Sequence, residues 1–133
     1  MKRLAAVLAC CAVAGCGTPS ADLFLVTRSG ADAKANLTLL VSDGGTVTCN
    51  GTKHEVSGDL LLQARELERK LSEQAELNLA LEPGPNAVLS YKVQMQAGTI
   101  AFSDTSRPLP RSFTELTVFT KDVSENVCGI DRT

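Results

Sequence analysis

Residues 36–49 have the sequence NLTLLVSDGGTVTC, which predicts the β-hairpin that decides the fold. Apolar side chains occupy alternate positions in its first half, as on a strand with one buried face. Asp43-Gly44-Gly45 then predicts a tight turn, because aspartate and glycine tolerate the positive φ angles that hairpin turns need. We therefore expect residues 46–49 to return as the partner strand. The inward-facing side chains would be Leu37, Leu39 and Val41 on the first strand and Val47 and Cys49 on the second.

Further strands are predicted on both sides of this hairpin. Upstream, the apolar run over residues 22–27 is typical of a strand buried on both faces. Downstream, alternating apolar residues predict strands over residues 77–81, 89–95 and 99–102. Residues 82–86 carry two prolines around a glycine, so this segment is expected to form a loop.

Residues 59–75 change to helical periodicity. Their apolar positions are spaced four, three and four residues apart, as on one side of an α-helix. Ser57 or Gly58 is expected to cap the N-terminus of this helix. The apolar stripe comprises Leu60, Ala64, Leu67 and Leu71, and the expected i,i+4 ion pairs on the outer face are Glu66–Lys70 and Arg69–Glu73.

A second helix is predicted over residues 112–127. Ser112 and Glu115 have the spacing of a capping box, and Gly129 suits the C-terminal end. The β-branched residues within 117–120 leave a strand open as the alternative. The side chains with helical spacing are Phe113, Leu116, Thr120, Val123 and Val127.

The order strands, helix, strands, helix predicts an α+β fold. We expect an antiparallel sheet of about five strands with two helices packed on one face. The chain has 133 residues, of which 44% are hydrophobic, and this is enough for one core. Residues 22–133 are therefore expected to form a single domain.

The N-terminal segment predicts export. Lys2 and Arg3 precede an uncharged stretch, residues 4–14, that is too short to cross a bilayer as a helix. The sequence Val13-Ala14-Gly15-Cys16 resembles the lipobox of bacterial lipoproteins, in which the signal is cut immediately before a lipid-carrying cysteine. The resemblance implies that residues 1–15 are a cleaved signal peptide. A signal peptide without lipid, or an anchor helix that is kept, is the alternative.

The same resemblance implies that Cys16 is lipidated and that residues 16–21 form a short tether. The protein would then be held on the outer face of the cell membrane by covalent lipid. Several acyl chains anchor a protein stably, because each buried methylene contributes about 0.8 kcal/mol. Cleavage would remove two basic residues and no acidic ones, which changes the net charge from −2 to −4. A mildly acidic domain gains nothing from anionic lipid, so the lipid anchor is expected to supply the attachment.

The five cysteines fall into three groups. Cys10 and Cys11 would leave with the signal peptide, and Cys16 would carry lipid. Cys49 and Cys128 remain as an even pair in an exported protein, which predicts one disulfide. Two buried free thiols or a redox pair is the alternative, although the Cys-x-x-Cys spacing of catalytic dithiols is missing.

The sequence predicts no catalytic residues, no cofactor and no metal site. Its one histidine, His54, follows Gly51 in what we expect to be a polar loop. No nucleophile elbow or phosphate-binding glycine loop occurs. Basic residues are dispersed and aromatic residues make up 4%, which argues against nucleic-acid binding. We expect a non-catalytic module that binds an envelope or secreted protein. The alternative is a small envelope enzyme. A pocket that brings His54 together with acidic residues would favour the enzyme.

One further resemblance bears on that binding role. Residues 23–27 and 46–49, the helix, the proline-rich loop and residues 88–93 follow one another as in the secreted actinobacterial subtilisin inhibitors, to which the chain is similar in this respect. The resemblance implies an antiparallel sheet with two helices and an exposed protease-binding loop. This sequence departs from the family in having no disulfide to brace that loop. The candidate binding loop comprises Glu82, Pro83, Gly84, Pro85 and Asn86.

Overall fold

A computed structural model describes residues 21–130. The expected signal peptide, the lipidation site Cys16 and tether residues 16–20 lie outside this range. The described part contains six strands, two α-helices and a single 3-10 turn at Ala33–Ala35. The elements are β1 Asp22–Gly30, β2 Leu37–Ser42, β3 Thr46–Cys49, β4 Thr52–Glu55, α1 Gly58–Glu76, β5 Leu89–Met95, β6 Gly98–Ser103 and α2 Arg111–Asn126.

The six strands form one antiparallel sheet in the order β4-β3-β2-β1-β5-β6. The predicted hairpin is confirmed, since Val41 lies opposite Val47. The predicted α+β fold is also confirmed, but with six strands rather than about five. The additional strand is β4, whose sequence TKHE has no apolar alternation. His54 therefore lies on a strand opposite Val47, and its prediction as a loop residue is wrong.

Both helices cover the same face of the sheet. α1 packs against β1, β5, β6 and α2, and its predicted N-cap is confirmed because the Ser57 hydroxyl accepts a hydrogen bond from the Leu60 N–H. α2 crosses the sheet with its aromatic side chains turned inward. The Phe113 ring stacks on Phe102 with centroids 4.8 Å apart, and Phe102 stacks on Tyr91 at 5.0 Å. These contacts place the core between the sheet and the two helices.

The predicted disulfide is confirmed. Cys49 on β3 is bonded to Cys128, which follows α2, and 79 positions separate them in the sequence. The bond ties the end of the second helix to the sheet. Gly129 adopts φ +70°, but it follows the C-cap Val127 by two positions, so the prediction that it caps α2 is wrong.

The first strand is buried on one face, and its prediction as a strand buried on both faces is wrong. Phe24, Val26 and Arg28 point toward the helices and are buried, whereas Leu23 and Leu25 are half-buried on the opposite face. That opposite face, which we call the open face, carries no helix of the described chain. Lys92 also lies on it, because its neighbours Tyr91 and Val93 are buried on the core side. Lys53 lies there too, because it is paired with Thr48, which stands between the buried residues Val47 and Cys49.

Residues 77–81 were expected to form a strand and do not. α1 continues to Glu76, and a single parallel bridge joins Ala80 to Ala101 on β6. The Leu81 N–H donates to the Ala101 carbonyl at 2.8 Å, while the Ala101 N–H donates to the Leu79 carbonyl at 3.0 Å. Leu79 and Leu81 pack on the core from this edge, whereas Leu77 is exposed, so the alternation does not mark a full strand.

The predicted capping box and ion pairs are wrong in detail. α2 is a helix, as predicted, but it begins at Arg111 after Pro110, and no side chain caps it. Pro110 stands at the N-cap position with ψ 145°, and its side chain has no polar atom that could cap the helix. Glu115 instead accepts from the Lys70 ammonium of α1 at 2.9 Å, which joins the two helices. Both i,i+4 ion pairs expected on α1 are therefore replaced. Lys70 pairs with Glu115 instead of Glu66. Arg69 pairs with Glu66 instead of Glu73.

Candidate functional site

The candidate binding loop lies between α1 and β5, and most of its residues are exposed to solvent. It is irregular from Leu81 to Val88, and we call residues 82–88 the braced loop. Every residue of the braced loop except Gly84 is exposed, and Val88 retains 61% of its accessible surface. This is the most extended exposed segment that joins two elements of the described chain.

A buried serine holds the first end of the braced loop. The Ser106 hydroxyl donates to the Glu82 carbonyl at 2.9 Å and accepts from the Ser103 N–H at 2.9 Å. Ser106 is fully buried, so its contact with the Ser103 N–H is shielded from water, whereas its bond to the Glu82 carbonyl is partly buried. The loop backbone is thereby fixed to the turn formed by residues 103–106, which we call the bracing turn.

The second end is held by an aspartate of the same turn. The Val88 N–H donates to the carboxylate of Asp104, with distances of 3.1 and 3.3 Å to its two oxygens. The Asp104 N–H donates to the Leu89 carbonyl at 3.0 Å. Hydrogen bonds to a charged carboxylate are stronger than those between neutral groups, so this contact fixes the exit of the loop.

The braced loop and the chain's N-terminal side lie at opposite ends of β1. Ala21 precedes the strand, and its carbonyl accepts from the Asp43 N–H at 2.8 Å. Gly30 ends the strand and pairs with Leu89, the residue that follows the braced loop. β1 has nine residues, which span about 26 Å in an extended strand.

A cavity of about 550 Å³ opens beside the braced loop, between the sheet and α2. Arg28 lies in its wall and is 1% exposed, and its Nε donates to the Ala35 carbonyl at 2.8 Å. Two further cations, Arg107 and Lys121, line it together with one acid, Asp104. We call this space the cationic cavity. Its other lining residues are Leu89, Tyr91, Leu109, Thr114, Thr117 and Val118.

Residues 21–130 form two other hollows, and neither is lined mainly by charges of one sign. A groove of about 480 Å³ runs between α1 and α2 over Leu67 and Phe119, with both signs of charge on its rim. A third hollow of about 380 Å³ lies on the open face around Leu40 and Lys53. His54 lines none of these three spaces. Within residues 21–130, no three His, Cys, Asp or Glu side chains are grouped to hold a metal ion.

The two prolines around Gly84 predict the exposed loop, but no signal in the sequence predicts its support or the cavity. The bracing turn has the sequence Ser103-Asp104-Thr105-Ser106, and serine, threonine and aspartate are typical turn residues. That composition signals a turn but does not show which segment the turn contacts. Among the described helices, neither is both long and apolar enough to span a bilayer.

The chain was compared with protein-family models, with curated proteins and with solved structures, and none of these comparisons gave a match.

Proposed function

We propose that this protein is a lipid-anchored, extracytoplasmic binding protein whose folded domain meets a protein partner through the braced loop. The observation that carries the proposal is the placement of this loop at the end of β1 opposite Ala21. An N-terminal anchor at Cys16 would attach the domain at one end of that strand. The loop would then face away from the membrane.

The length of the tether supports this orientation. Residues 16–21, fully extended, span at most about 20 Å, which is shorter than the strand itself. The domain would therefore stay near the membrane, with its loop in the adjoining space. A protein partner, soluble or held in another envelope layer, can reach a loop in that position.

The rigidity of the braced loop supports a binding role. Its exposed side chains are available for contact, while its backbone is held by Ser106 at one end and Asp104 at the other. A loop that is ordered before binding loses less conformational entropy when a partner docks. Exposure combined with bracing is the arrangement that a recognition loop requires.

Site-directed photo-crosslinking in intact cells tests this role. A photoreactive residue replaces Val88 in the full chain, and the matched control replaces Lys53, which is exposed on the open face. We expect a discrete protein adduct from position 88 and none of the same size from position 53. Equal adducts from both positions, or none from position 88 and from a second probe at Glu82, would overturn the proposal.

The anchor has a separate test. Metabolic labelling with palmitate should mark the wild-type chain, and Cys16→Ala should abolish the label while Cys11→Ala retains it. Label that persists in Cys16→Ala would refute lipidation at this residue. This result would leave the binding role of the loop standing, because the crosslinking experiment addresses the loop alone.

The bracing favours a second candidate, a protease-inhibitor-like module. A loop held at both ends resists the rearrangement that follows cleavage, and here hydrogen bonds from the bracing turn act in place of a disulfide. Subtilisin is the probe. Saturable inhibition of subtilisin by the full chain would support this candidate. The candidate would be excluded if subtilisin cleaved the braced loop equally fast in the wild type and in Ser106→Ala, which lacks one bracing contact.

A further inference from the structure

The outer side of β4 has no neighbouring strand in the described chain. β4 is the last strand of the sheet order, and it pairs with β3 on one side only. Within residues 21–130, no further strand and no isolated bridge joins its other side, which we call the β4 edge. Backbone N–H and C=O groups on such an edge can pair with a strand from another molecule.

The ladder with β3 shows which backbone groups of β4 point outward. The Val56 N–H donates to the Gly45 carbonyl at 3.0 Å, so these two residues form a hydrogen-bonded pair. Hydrogen-bonded and non-hydrogen-bonded pairs alternate along an antiparallel ladder. His54 therefore bonds to β3, whereas Lys53 and Glu55 stand in non-hydrogen-bonded pairs with it. The backbone N–H and C=O groups of Lys53 and Glu55 thus face the β4 edge.

The side chains of the same two residues carry opposite charges on one face of the sheet. Lys53 and Glu55 are separated by one residue, and both are exposed on the open face. Among the ion pairs of residues 21–130, none includes either of them. A lysine on an edge strand discourages pairing with unrelated strands. A second copy of this chain would bring a glutamate that matches the lysine.

A two-fold axis perpendicular to the sheet would continue the sheet from one copy into the next. Such an axis lies level with one residue of β4, because the open faces of both copies are then on the same side. An axis at Lys53 sets two lysines opposite each other, and an axis at Glu55 sets two glutamates opposite each other, which is unfavourable in both cases. An axis at Thr52 leaves both charges unmatched. An axis at His54 places Lys53 of each copy opposite Glu55 of the other.

We infer that the β4 edge is a self-association site, at which β4 of a second copy of this chain pairs antiparallel about His54. Lys53 and Glu55 then form hydrogen-bonded pairs across the axis, because their backbone groups already face the edge. Each of these pairs also joins opposite charges, which stabilises the register. The braced loop precedes β5, on the other side of β1 in the sheet order, so association at β4 does not involve it.

A cysteine at the axis tests the site. In the paired copies, the two His54 positions form a non-hydrogen-bonded pair with Cα atoms about 4.5 Å apart, which a disulfide can bridge. His54→Cys in the full chain should therefore give a disulfide-linked dimer under mild oxidation of intact cells. The dimer has twice the mass of the chain on a non-reducing gel. Lys92→Cys, which is exposed on the open face away from this edge, is the control for random collision and should give far less dimer.

Charge exchange tests the register. Lys53→Glu, added to His54→Cys, sets glutamates opposite each other and should lower dimer formation about tenfold, because both symmetric pairs become repulsive. Further addition of Glu55→Lys makes the opposing charges complementary again and should restore the dimer. Lys92→Glu changes the net charge by the same amount away from the edge and should have no effect.

A measurement on the unsubstituted chain covers the case in which the His54→Cys chain does not fold. Isotopically heavy and light full chains are mixed in detergent and treated with a carbodiimide, which joins an amine to an adjacent carboxylate. Mass spectrometry should find an amide between Lys53 of one chain and Glu55 of another. The inference is overturned if no heavy–light link forms or if Lys53→Glu and Lys92→Glu act alike. It is also overturned if a folded His54→Cys chain links to a different protein, or to itself no more than Lys92→Cys does.

Discussion

Gly84 lies directly against the Thr105 backbone, so close that a Cβ on Gly84 would stand 2.0 Å from the Thr105 carbonyl oxygen. No other residue type permits this approach without a shift of the backbone. This contact lies between the two hydrogen-bonded ends of the braced loop, and it packs the middle of the loop against the bracing turn. The loop thus has three points of support, from Ser106, Thr105 and Asp104.

Gly84→Ala should therefore displace the braced loop. The methyl group cannot share space with the Thr105 carbonyl, so we expect a loss of about 1–3 kcal/mol in the free energy of unfolding, the range of overpacking substitutions. Urea denaturation of the full chain measures this loss. Limited proteolysis should also show faster cleavage within residues 82–88.

Gly58→Ala is the matched control for Gly84→Ala. A Cβ on Gly58 meets nothing within 4 Å, and this residue begins α1. Alanine favours helix more than glycine, so stability should be unchanged or higher by up to about 1 kcal/mol. Equal stability and equal protease resistance of wild type and Gly84→Ala would show that the contact does not fix the loop.

Ser106→Ala should weaken the same loop by another route. Its hydroxyl satisfies the Glu82 carbonyl and the Ser103 N–H, and both backbone groups would lose their partner. We expect a destabilisation of about 1–3 kcal/mol, because the Ser103 N–H would stay buried without this partner. Ser112→Ala is the control, since the Ser112 hydroxyl does not cap α2. A Ser106→Ala chain as stable as Ser112→Ala would contradict the bracing role.

The hairpin, both helices and the disulfide were predictable because their signals are local or few. Leu39 and Cys49 face each other as the alternation around Asp43-Gly44-Gly45 requires. α1 follows from apolar residues spaced at the helical period. The disulfide follows from counting, because Cys49 and Cys128 are the pair that remains once the N-terminal cysteines are assigned elsewhere.

The fourth strand and the loop support were not predictable because they depend on tertiary contacts. Residues 52–55 join the sheet by pairing their backbone with β3, which needs no apolar side chain at an edge. The Ser106–Glu82 bond spans 24 positions, and no sequence spacing identifies such a pair. Glu115 is a further example of a tertiary contact that the sequence does not predict. Its spacing from Ser112 predicts a capping box, but its carboxylate accepts a hydrogen bond from Lys70 on the other helix.

Removing the disulfide should destabilise the protein substantially. The bond between Cys49 and Cys128 closes a loop of 79 positions, for which chain entropy gives about 4.5 kcal/mol as an upper value. The double variant Cys49→Ala, Cys128→Ala should therefore unfold at much lower urea concentration. Ser112→Ala is the control and should leave the midpoint unchanged, because this side chain does not cap α2. A double variant within about 1 kcal/mol of wild type would show that the sheet and helices suffice.

Glu66 should titrate below its ordinary value of 4.5. The hydrogen bond from Arg69 is the main cause that lowers the pKa of this carboxyl. Desolvation opposes it, and the positive charges of Arg69 and Lys70 lower the pKa further. Because the folded pKa is depressed, the charged pair stabilises the fold above pH 4.5. This contribution is lost as the pH falls through the lower folded pKa.

An NMR titration of the Glu66 carboxyl measures the midpoint. Arg69→Gln should move it up toward 4.5, whereas Arg65→Gln, which removes a charge paired with Asp43, should not. A midpoint that responds equally to both substitutions would assign the shift to general helix charge instead of the Arg69 contact.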